Sequence, residues 1–404
     1  MIDDAAYDAV LAPDAVEVVA LGESMVTFLP TRPGRLADVP SFERAIGGAE
    51  SNVACVLAAA GHTTRWVSRV GADGFGDHLV ETVGSYGVDV SFVRRDPARP
   101  TGVYFRTAGD RATDQHEVAY YRAGSAASAM SPAHVDLGAV RAGRVLHLSG
   151  ITAALSGGCL ELLRMLTAPG PCRRPVSFDV NYRPGLWRDP GGPEVLLELA
   201  RRCELVFVGT DEAEAAWGVT GGPEAIRALL PEPSVLVVKE GARGATAFDG
   251  RPGRPAAGTS CPPGFGQSCL PQSLKDLGGP PGGTGGRSGT PQARANETRP
   301  RPATAPPAFQ PAPTVDVVAT VGAGDAFAAG FLSATLRGLP VRECLRHGHL
   351  TAAAALTVPG DLAAPPARGH ADRLAALDDQ AWGRLRLGPG WTQAEQATEE
   401  AITP

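Results

Sequence analysis

The amino-acid sequence predicts an α/β protein with a mostly parallel central sheet flanked by helices. Short β-branched runs alternate from Val16 onward with stretches rich in Ala and Leu, which is typical of parallel strands joined by crossover helices. Several runs are continuously apolar, as expected for strands that helices cover on both faces. The formal net charge of −6, from 37 Lys and Arg against 43 Asp and Glu, argues against a nucleic-acid binder, which would need a basic surplus.

Six apolar runs are predicted to be strands of this sheet. They span residues 16–22, 64–71, 144–150, 175–181, 205–209 and 234–241. The segment 49–60 shows most clearly the helical pattern expected between strands. Its residues Val53, Val56 and Leu57 fall at i, i+3 and i+4 and so form one apolar face.

Residues 101–107 and 117–122 depart from this alternation. Both segments are extended and aromatic, and a polar turn separates them, which predicts a hairpin outside the main sheet. Such a hairpin would cover a ligand-binding site. Its aromatic residues also offer a surface through which two copies would form a homo-oligomer; these residues are Tyr104, Phe105, Tyr120 and Tyr121.

The stretch 251–310 has a different composition. Of its 60 residues, 23 are Gly or Pro, and no core can be built from such a segment. We therefore expect residues 251–313 to be a disordered insertion in a folded domain. The other expected parts are an N-terminal extension at 1–15, the folded domain at 16–250 and 314–387, and a peripheral tail at 388–404.

Cysteine usage and hydropathy predict a cytoplasmic protein. The seven cysteines show no paired spacing, so buried thiols are expected rather than a zinc site or a disulfide framework. No apolar stretch approaches the roughly 20 residues of a membrane span. The acidic N-terminus lacks the basic and apolar segments of a secretory signal. We expect neither a membrane nor a nucleic-acid partner.

The sharpest motif is VGAGDAFAAGF near the C-terminal end of the folded domain. Gly322, Ala323 and Gly324 form a turn that enters a helix, whose unpaired N–H groups and dipole favour an anion such as a transferring phosphate. Asp325 would repel that anion unless it has a task, so we interpret it as a base that accepts a proton from an attacking hydroxyl. A helix cap is the alternative explanation. The chain has no P-loop motif, and the turn lacks the last glycine of a dinucleotide fingerprint.

A second glycine pair precedes the helix predicted at 49–60. Gly47 and Gly48 let a ligand approach the backbone closely, and Asn52 on the first turn supplies both a donor and an acceptor. An ordinary turn explains the pair equally well.

Further polar residues follow predicted strands. Asn181 and Arg183 come directly after a buried strand, at the carboxyl edge where open α/β sheets bind ligands. The guanidinium of Arg183 suits a carboxylate or a phosphate, and Arg122 in the hairpin would meet the same anion from above. Surface ion pairs are the alternative for both arginines. The segment 237–248 is predicted to be a strand-turn-strand that contains Lys239, Gly241, Arg243 and Gly244. It would form either one edge of a nucleotide site or a plain hairpin.

In this order and spacing, GGAESNVA, FDVNYRPGLW, KEGARGA and VGAGDAFAAGF resemble the motifs of the ribokinase-like (PfkB-type) carbohydrate kinases. The resemblance covers about 16–250 and 314–365, and YYRAGSAAS and NYRPGLW are most similar to 2-keto-3-deoxygluconate kinases. It implies a three-layer fold with a small β lid at about 24–46 and 101–122. It also implies transfer of the γ-phosphate of ATP, with Mg²⁺, to the terminal hydroxyl of a sugar acid.

The resemblance implies a role for each matching residue. Asp325 matches the catalytic base, and residues 322–324 match the anion hole. Positions expected to bind the sugar are Gly47, Gly48, Asn52, Tyr104, Arg122 and Arg183. Positions expected to bind the nucleotide are Asn181, Lys239, Gly241, Arg243, Gly244 and His349. Glu212 is implied to contact Mg²⁺ through water.

Two departures from the family pattern accompany these matches. The usual N-x-x-E motif has Gly209 in place of its Asn. Many members carry Asp where this chain has Ala319, so the resemblance does not extend to a monovalent cation site. Three interpretations stay open: a sugar-acid kinase, a kinase for fructose, ribose or a deoxy-keto-gluconate of inositol breakdown, and a non-catalytic sensor of sugar or nucleotide.

Overall fold

Fifteen strands in three sheets are present in the described part of the chain. The structure, a computed structural model, describes residues 15–32, 34–107, 117–170, 173–187, 190–251 and 306–393. In chain order the strands are β1 (Val16–Leu21), β2 (Met25–Pro30), β3 (Phe42–Gly47), β4 (Thr64–Gly71), β5 (Val93–Asp96), β6 (Val103–Arg106), β7 (Val118–Tyr121), β8 (Gly143–Ser149), β9 (Val176–Asp179), β10 (Leu205–Gly209), β11 (Val235–Lys239), β12 (Gly244–Asp249), β13 (Ala308–Pro311), β14 (Thr314–Val315) and β15 (Arg386–Leu387).

Nine of these strands form the central sheet, in the order β13-β12-β11-β10-β9-β8-β1-β4-β5. The neighbours from β11 to β5 pair in parallel, whereas β12 pairs antiparallel with both β11 and β13. Every residue of β9 and β10 is buried, because helices cover both faces of the sheet. The predicted α/β fold with a mostly parallel sheet is confirmed.

Twelve described α-helices surround the sheet. They are α1 (Ala49–Ala59), α2 (Gly74–Ser85), α3 (Leu137–Arg141), α4 (Gly150–Ala154), α5 (Gly157–Thr167), α6 (Gly192–Ala200), α7 (Thr210–Trp217), α8 (Gly222–Leu229), α9 (Ala323–Leu336), α10 (Val341–Leu356), α11 (Arg368–Ala375) and α12 (Asp379–Gly383). Leu162, Leu196 and Ile226 pack α5, α6 and α8 into one apolar core. Val53 and Phe331 pack α1 and α9 into a second core. The result is a three-layer arrangement with the sheet in the middle.

A second sheet of four strands, in the order β3-β2-β6-β7, is called the lid sheet below. Its inner pair, β2 and β6, is parallel, and its outer pairs are antiparallel. The hairpin predicted from the aromatic segments corresponds to β6 and β7. Aromatic side chains hold one face together, since Phe28 stacks on Phe105 with ring centroids 4.8 Å apart and Phe42 meets Phe105 edge to face.

The central sheet resumes earlier than the sequence predicts. β13 lies inside the segment 251–313 that was expected to be an insertion, and it pairs with β12 through Ala245 and Gln310. A strand of four residues is too short to stand out within a Gly- and Pro-rich stretch, because its pairing partner is distant in sequence. The predicted extension, the rest of the insertion and most of the tail lie outside the described residues, at 1–14, 252–305 and 394–404.

The described cysteines agree with the expectation of buried thiols. Cys55, Cys159, Cys203 and Cys344 are buried thiols, and the other three lie outside the described ranges. In those ranges, every helix is too short or too polar to cross a membrane.

Candidate active site

The turn before α9 requires a glycine. Gly322 has φ of +77°, a left-handed conformation that side chains disfavour, and a Cβ there would clash with the carbonyl oxygen of Asp361. Helix α9 begins at the next residue, Ala323, and Gly324 is exposed. The first turn of a helix leaves N–H groups without helical partners, so this end of α9 offers donors to an anion.

Asp325 projects from the first turn of α9 and is partly buried. Its Oδ2 accepts a hydrogen bond from Nδ2 of Asn52 at 2.9 Å. Burial raises the pKa of Asp325 to about 7, and the hydrogen bond from Asn52 limits the rise. A carboxylate with a pKa near 7 is a stronger base than an ordinary one and is about half ionised at neutral pH.

Asn52 reaches Asp325 because α1 begins at the end of β3. Gly47 ends that strand and Gly48 is the N-cap of the helix. A Cβ on Gly47 would clash with the hydroxyl of Tyr104, and one on Gly48 would clash with the backbone of Glu23. The glycine pair therefore lets the lid sheet and the loop after β1 approach the start of α1 closely.

A buried ion pair lies beside the glycine turn. Nζ of Lys239, at the end of β11, is 2.9 and 3.2 Å from the two carboxylate oxygens of Asp179, at the end of β9. Burial alone lowers the pKa of Lys239, but Asp179 and Glu212 together raise it above its ordinary value. Nζ also lies 3.6 Å from the position that a Cβ on Gly324 would occupy. A positive charge thus sits next to the donors at the start of α9.

Carboxylate and amide oxygens surround this ion pair. Glu212 accepts a hydrogen bond from the N–H of Gly209 at 2.8 Å and is paired with Arg183 at 3.2 Å. Asn181 is buried with φ of +42°, and its Oδ1 has no hydrogen-bond partner among the described residues. Mg²⁺ prefers such oxygen ligands and keeps several waters. The donor set of Asp179, Asn181 and Glu212 therefore fits a magnesium ion held partly through water.

Arg122, one of the residues predicted to bind the sugar, lies at the end of the lid sheet. Arg122 follows β7, its side chain is 9% exposed, and it forms an ion pair with the buried carboxylate of Glu23. Its guanidinium lies 5.9 Å from the ring centre of Tyr120, which stacks on Tyr104. Nε of Arg122 has no hydrogen-bond partner among the residues described.

Comparison with known proteins identifies the family. The model of the pfkB family of carbohydrate kinases matches residues 16–264 and 307–368. The chain belongs to the PfkB carbohydrate kinases. This kinase is 34% identical to a 2-dehydro-3-deoxygluconokinase of Thermoproteus tenax over 58% of the chain and 72% of the relative. It is 30% identical to the enzyme of that name in Bacillus subtilis (strain 168) over 87% of the chain and 93% of the relative.

Other similarities agree with this membership. A fructokinase-2 of Zea mays is 32% identical over 48% of this chain and 58% of its own length. Among solved structures, a PfkB protein from Polaromonas sp. JS666 matches with a TM-score of 0.66 and 30% identity, covering 89% of this chain and 99% of its own. The protein is an ATP-dependent sugar kinase, and its ribokinase-like fold is confirmed.

The remaining predicted residues lie on the β11–β12 turn and on α10. Gly241 and Gly244 both have positive φ, and Arg243 is largely exposed and paired with Glu240. His349 is buried on α10, where its Nε2 lies 3.1 Å from the carbonyl oxygen of Gln310, and burial lowers its pKa to about 4. The structure brings Asn52, Asp325 and Lys239 together, whereas His349 packs edge to face on Phe327 of α9.

Sequence reasoning missed Asp361. This buried residue accepts hydrogen bonds from the hydroxyl of Tyr104 at 2.8 Å and from Arg106 at 2.7 Å. It follows α10 in a loop without a recognisable motif, and its partners lie more than 250 positions earlier in the chain. The isolated aspartate after Pro359 and Gly360 is the sole local signal.

Proposed function

We propose that this kinase phosphorylates the terminal hydroxyl of a sugar acid, and that the acid is 2-keto-3-deoxygluconate, which becomes its 6-phosphate. The supporting observation is the buried guanidinium of Arg122 on the sugar side. Glu23 takes one of its five N–H donors, and Nε is left without a partner among the described residues. A substrate carboxylate would satisfy the remaining donors in a charge-assisted contact. The two relatives named 2-dehydro-3-deoxygluconokinase, another name for the same activity, support the same substrate.

Asp325 is the proposed general base. Its carboxylate takes the proton of the sugar hydroxyl as that oxygen attacks the γ-phosphate in line. Asn52 holds Asp325 by one oxygen, which leaves Oδ1 for the substrate. Because the pKa of Asp325 is about 7, the base is matched to neutral pH.

Phosphate charge is proposed to be stabilised by the start of α9 and by Lys239. The N–H groups of residues 322–324 form the anion hole, and the ammonium group lies beside Gly324. Asp179, Asn181 and Glu212 would hold Mg²⁺, which neutralises charge on the phosphates when it is bound. Gly241, Gly244, Arg243 and His349 are proposed to contact the rest of the nucleotide.

The sugar is proposed to lie against the glycine pair and beneath the lid sheet. Gly47, Gly48 and Asn52 form one wall, and Tyr104 and Arg122 form the other. Arg183 is proposed to approach the anionic groups once it exchanges its contact with Glu212.

The direct test is ADP release from the purified protein with a panel of sugars and 2-keto sugar acids. We expect the highest kcat/KM with 2-keto-3-deoxygluconate. Equal or better turnover of fructose or ribose would contradict the sugar-acid assignment while leaving the kinase intact. The similarity to the Zea mays fructokinase is the observation that favours a neutral sugar as the second candidate.

The lid sheet is also the proposed surface for a homo-oligomer. Tyr120 and Tyr121 on the edge strand β7 are 51% and 66% exposed, and an edge strand has free backbone groups for pairing. Light scattering of the full chain tests this proposal. A monomer at micromolar concentration would contradict it.

A further inference from the structure

The lid sheet holds a loop that touches the turn before the base. Arg106 is 2% exposed on β6, and its Nη2 donates to Oδ1 of Asp361 at 2.7 Å and to the carbonyl oxygen of Pro359 at 3.1 Å. Tyr104 lies two residues earlier and therefore on the same face of the strand. Its hydroxyl donates to Oδ2 of Asp361 at 2.8 Å. The lid sheet thus binds both oxygens of one carboxylate.

The backbone of the same aspartate packs against the glycine turn. A Cβ on Gly322 would clash with the carbonyl oxygen of Asp361 and would lie 3.1 Å from its Cα. Packed interiors transmit displacements because they contain little free space. A shift of the loop at Asp361 therefore requires a shift of the turn that precedes α9.

Gly47, at the end of β3, contacts the same group of residues. A Cβ on Gly47 would lie 2.6 Å from Oδ2 of Asp361 and would clash with the hydroxyl of Tyr104. The segment before α1, the lid sheet and the turn before α9 consequently converge on one buried aspartate.

We propose that Arg106 is a positioning residue that couples the lid sheet to the anion hole. The proposal rests on the proposed function and adds to it a link between the two substrate sites. A sugar beneath the lid sheet holds β6, Arg106 holds Asp361, and Asp361 holds Gly322 in the conformation that aims the first N–H groups of α9. Sugar and nucleotide then bind cooperatively, and phosphoryl transfer requires both.

The chemistry of the pair suits this role better than a role in stability. The side chains of Arg106 and Asp361 are 2% and 6% exposed, and burying two charges costs so much desolvation that apolar residues of similar volume are often at least as stabilising. Nη2 of Arg106 holds two points of the loop at once, the carboxylate of Asp361 and the carbonyl oxygen of Pro359. Such a contact fixes the position of the loop at Asp361 relative to β6.

Calorimetry with a non-hydrolysable ATP analogue measures the coupling as the ratio of its Kd without and with the sugar that the wild type phosphorylates. For the wild type we expect a ratio of about 5 to 150, the usual range for coupled sites, and for Arg106→Gln a ratio near 1. Arg44→Gln is the matched control, since Arg44 is an exposed residue on β3 of the same sheet, and it should retain the wild-type ratio. A wild-type ratio in Arg106→Gln would overturn the proposal.

Asp361→Asn is the second variant and serves if Arg106→Gln does not fold. It keeps the shape of the side chain, and we expect a similar loss of coupling. The double variant should lose no more than either single variant, because residues that act as one unit are not additive. Additive losses would overturn the link between the two residues.

Hydrogen exchange without ligands separates this proposal from the proposed function. Peptides covering residues 320–328 should lose protection in Arg106→Gln and keep it in Arg44→Gln. Unchanged protection in Arg106→Gln would overturn the coupling whatever the substrate is. Failure of the wild type to phosphorylate a sugar acid would instead overturn the substrate assignment.

Discussion

The proposed nucleotide side and the proposed sugar side of this kinase are assembled in different ways. Lys239 and Asp179 face each other because β11 and β9 are held in register by β10 between them. On the sugar side, Tyr104 reaches Asp361 across 257 positions of sequence, and no strand pairing joins their segments. The first side is positioned by the backbone of one sheet, whereas the second depends on contacts between separate elements.

This difference has a consequence for substitutions. A change on the nucleotide side leaves the sheet register intact and acts through charge. A change at Tyr104 or Asp361 on the sugar side removes a contact that holds the lid sheet and so acts through geometry. Asp325 lies where the two sides meet, since Asn52 and Lys239 approach it from opposite sequence regions.

The largest effect is expected for Asp325→Asn, which removes the proposed base, a residue that lies where the two sides meet. We expect kcat to fall at least about 10²-fold, the lower end for a positioned general base, with little change in the binding of ATP analogue. Steady-state kinetics measure this. Asp77→Asn, which alters an exposed aspartate in the first turn of α2, is the control and should be fully active; comparable activity of both variants would remove Asp325 from its role.

Lys239→Met tests the nucleotide side. It leaves the buried carboxylate of Asp179 without its partner, which should lower the free energy of unfolding by about 3 to 5 kcal/mol, as for pairs of this kind. It should also raise KM for ATP more than KM for the sugar. Thermal unfolding and kinetics measure the two effects. Lys239→Met combined with Asp179→Asn should recover part of the stability but not the activity. A double variant less stable than Lys239→Met alone would show that the pair is not held by charge.

Arg122→Ala tests the sugar side. We expect kcat/KM for 2-keto-3-deoxygluconate to fall by about 10 to 100-fold, as for the loss of a charge-assisted contact worth about 1.5 to 3 kcal/mol, while KM for ATP stays within about twofold. Arg44→Ala, which changes an exposed arginine on β3, should have no such effect. An unchanged kcat/KM in Arg122→Ala would contradict the recognition of an acid.

A smaller effect concerns pH. Activity should rise as pH increases through about 7, because Asp325 accepts a proton only when ionised. The sign for stability is opposite: a carboxyl whose pKa is raised on folding binds more protons in the folded state, so its contribution weakens as pH rises from about 4 to about 7. Asp325→Asn should therefore be more stable than the wild type at pH 8. Chemical denaturation at pH 5 and pH 8 measures the difference in the free energy of unfolding between the variant and the wild type. A difference that is the same at both pH values would contradict the prediction.

Local sequence patterns predicted much of the central sheet. All six predicted strands overlap β1, β4, β8, β9, β10 and β11, and the helix predicted at 49–60 is α1. These elements are buried on one or both faces, so their apolar periodicity records the burial directly. β13 was missed because an edge strand of four residues forms through its pairing with β12 and not through a pattern in its own sequence.

Part of the candidate site could also be predicted from the sequence. The glycine turn, Asp325 and Asn52 belong to short motifs whose chemistry is local, and the structure places Asn52 in a hydrogen bond with Asp325. Arg106, Asp361 and Glu23 carry no motif. Their importance comes from contacts that exist only after the lid sheet has folded onto the turn before α9.

The sequence by itself determined the α/β class, the glycine turn before α9 and the positions of the main polar loops, because periodicity and backbone requirements act over a few residues. The tertiary structure alone decided that one buried aspartate joins the lid sheet to the turn before α9 and that Lys239 pairs with Asp179. Such pairings depend on which distant segments the folded chain brings together, and a linear pattern of residue types does not encode those distances.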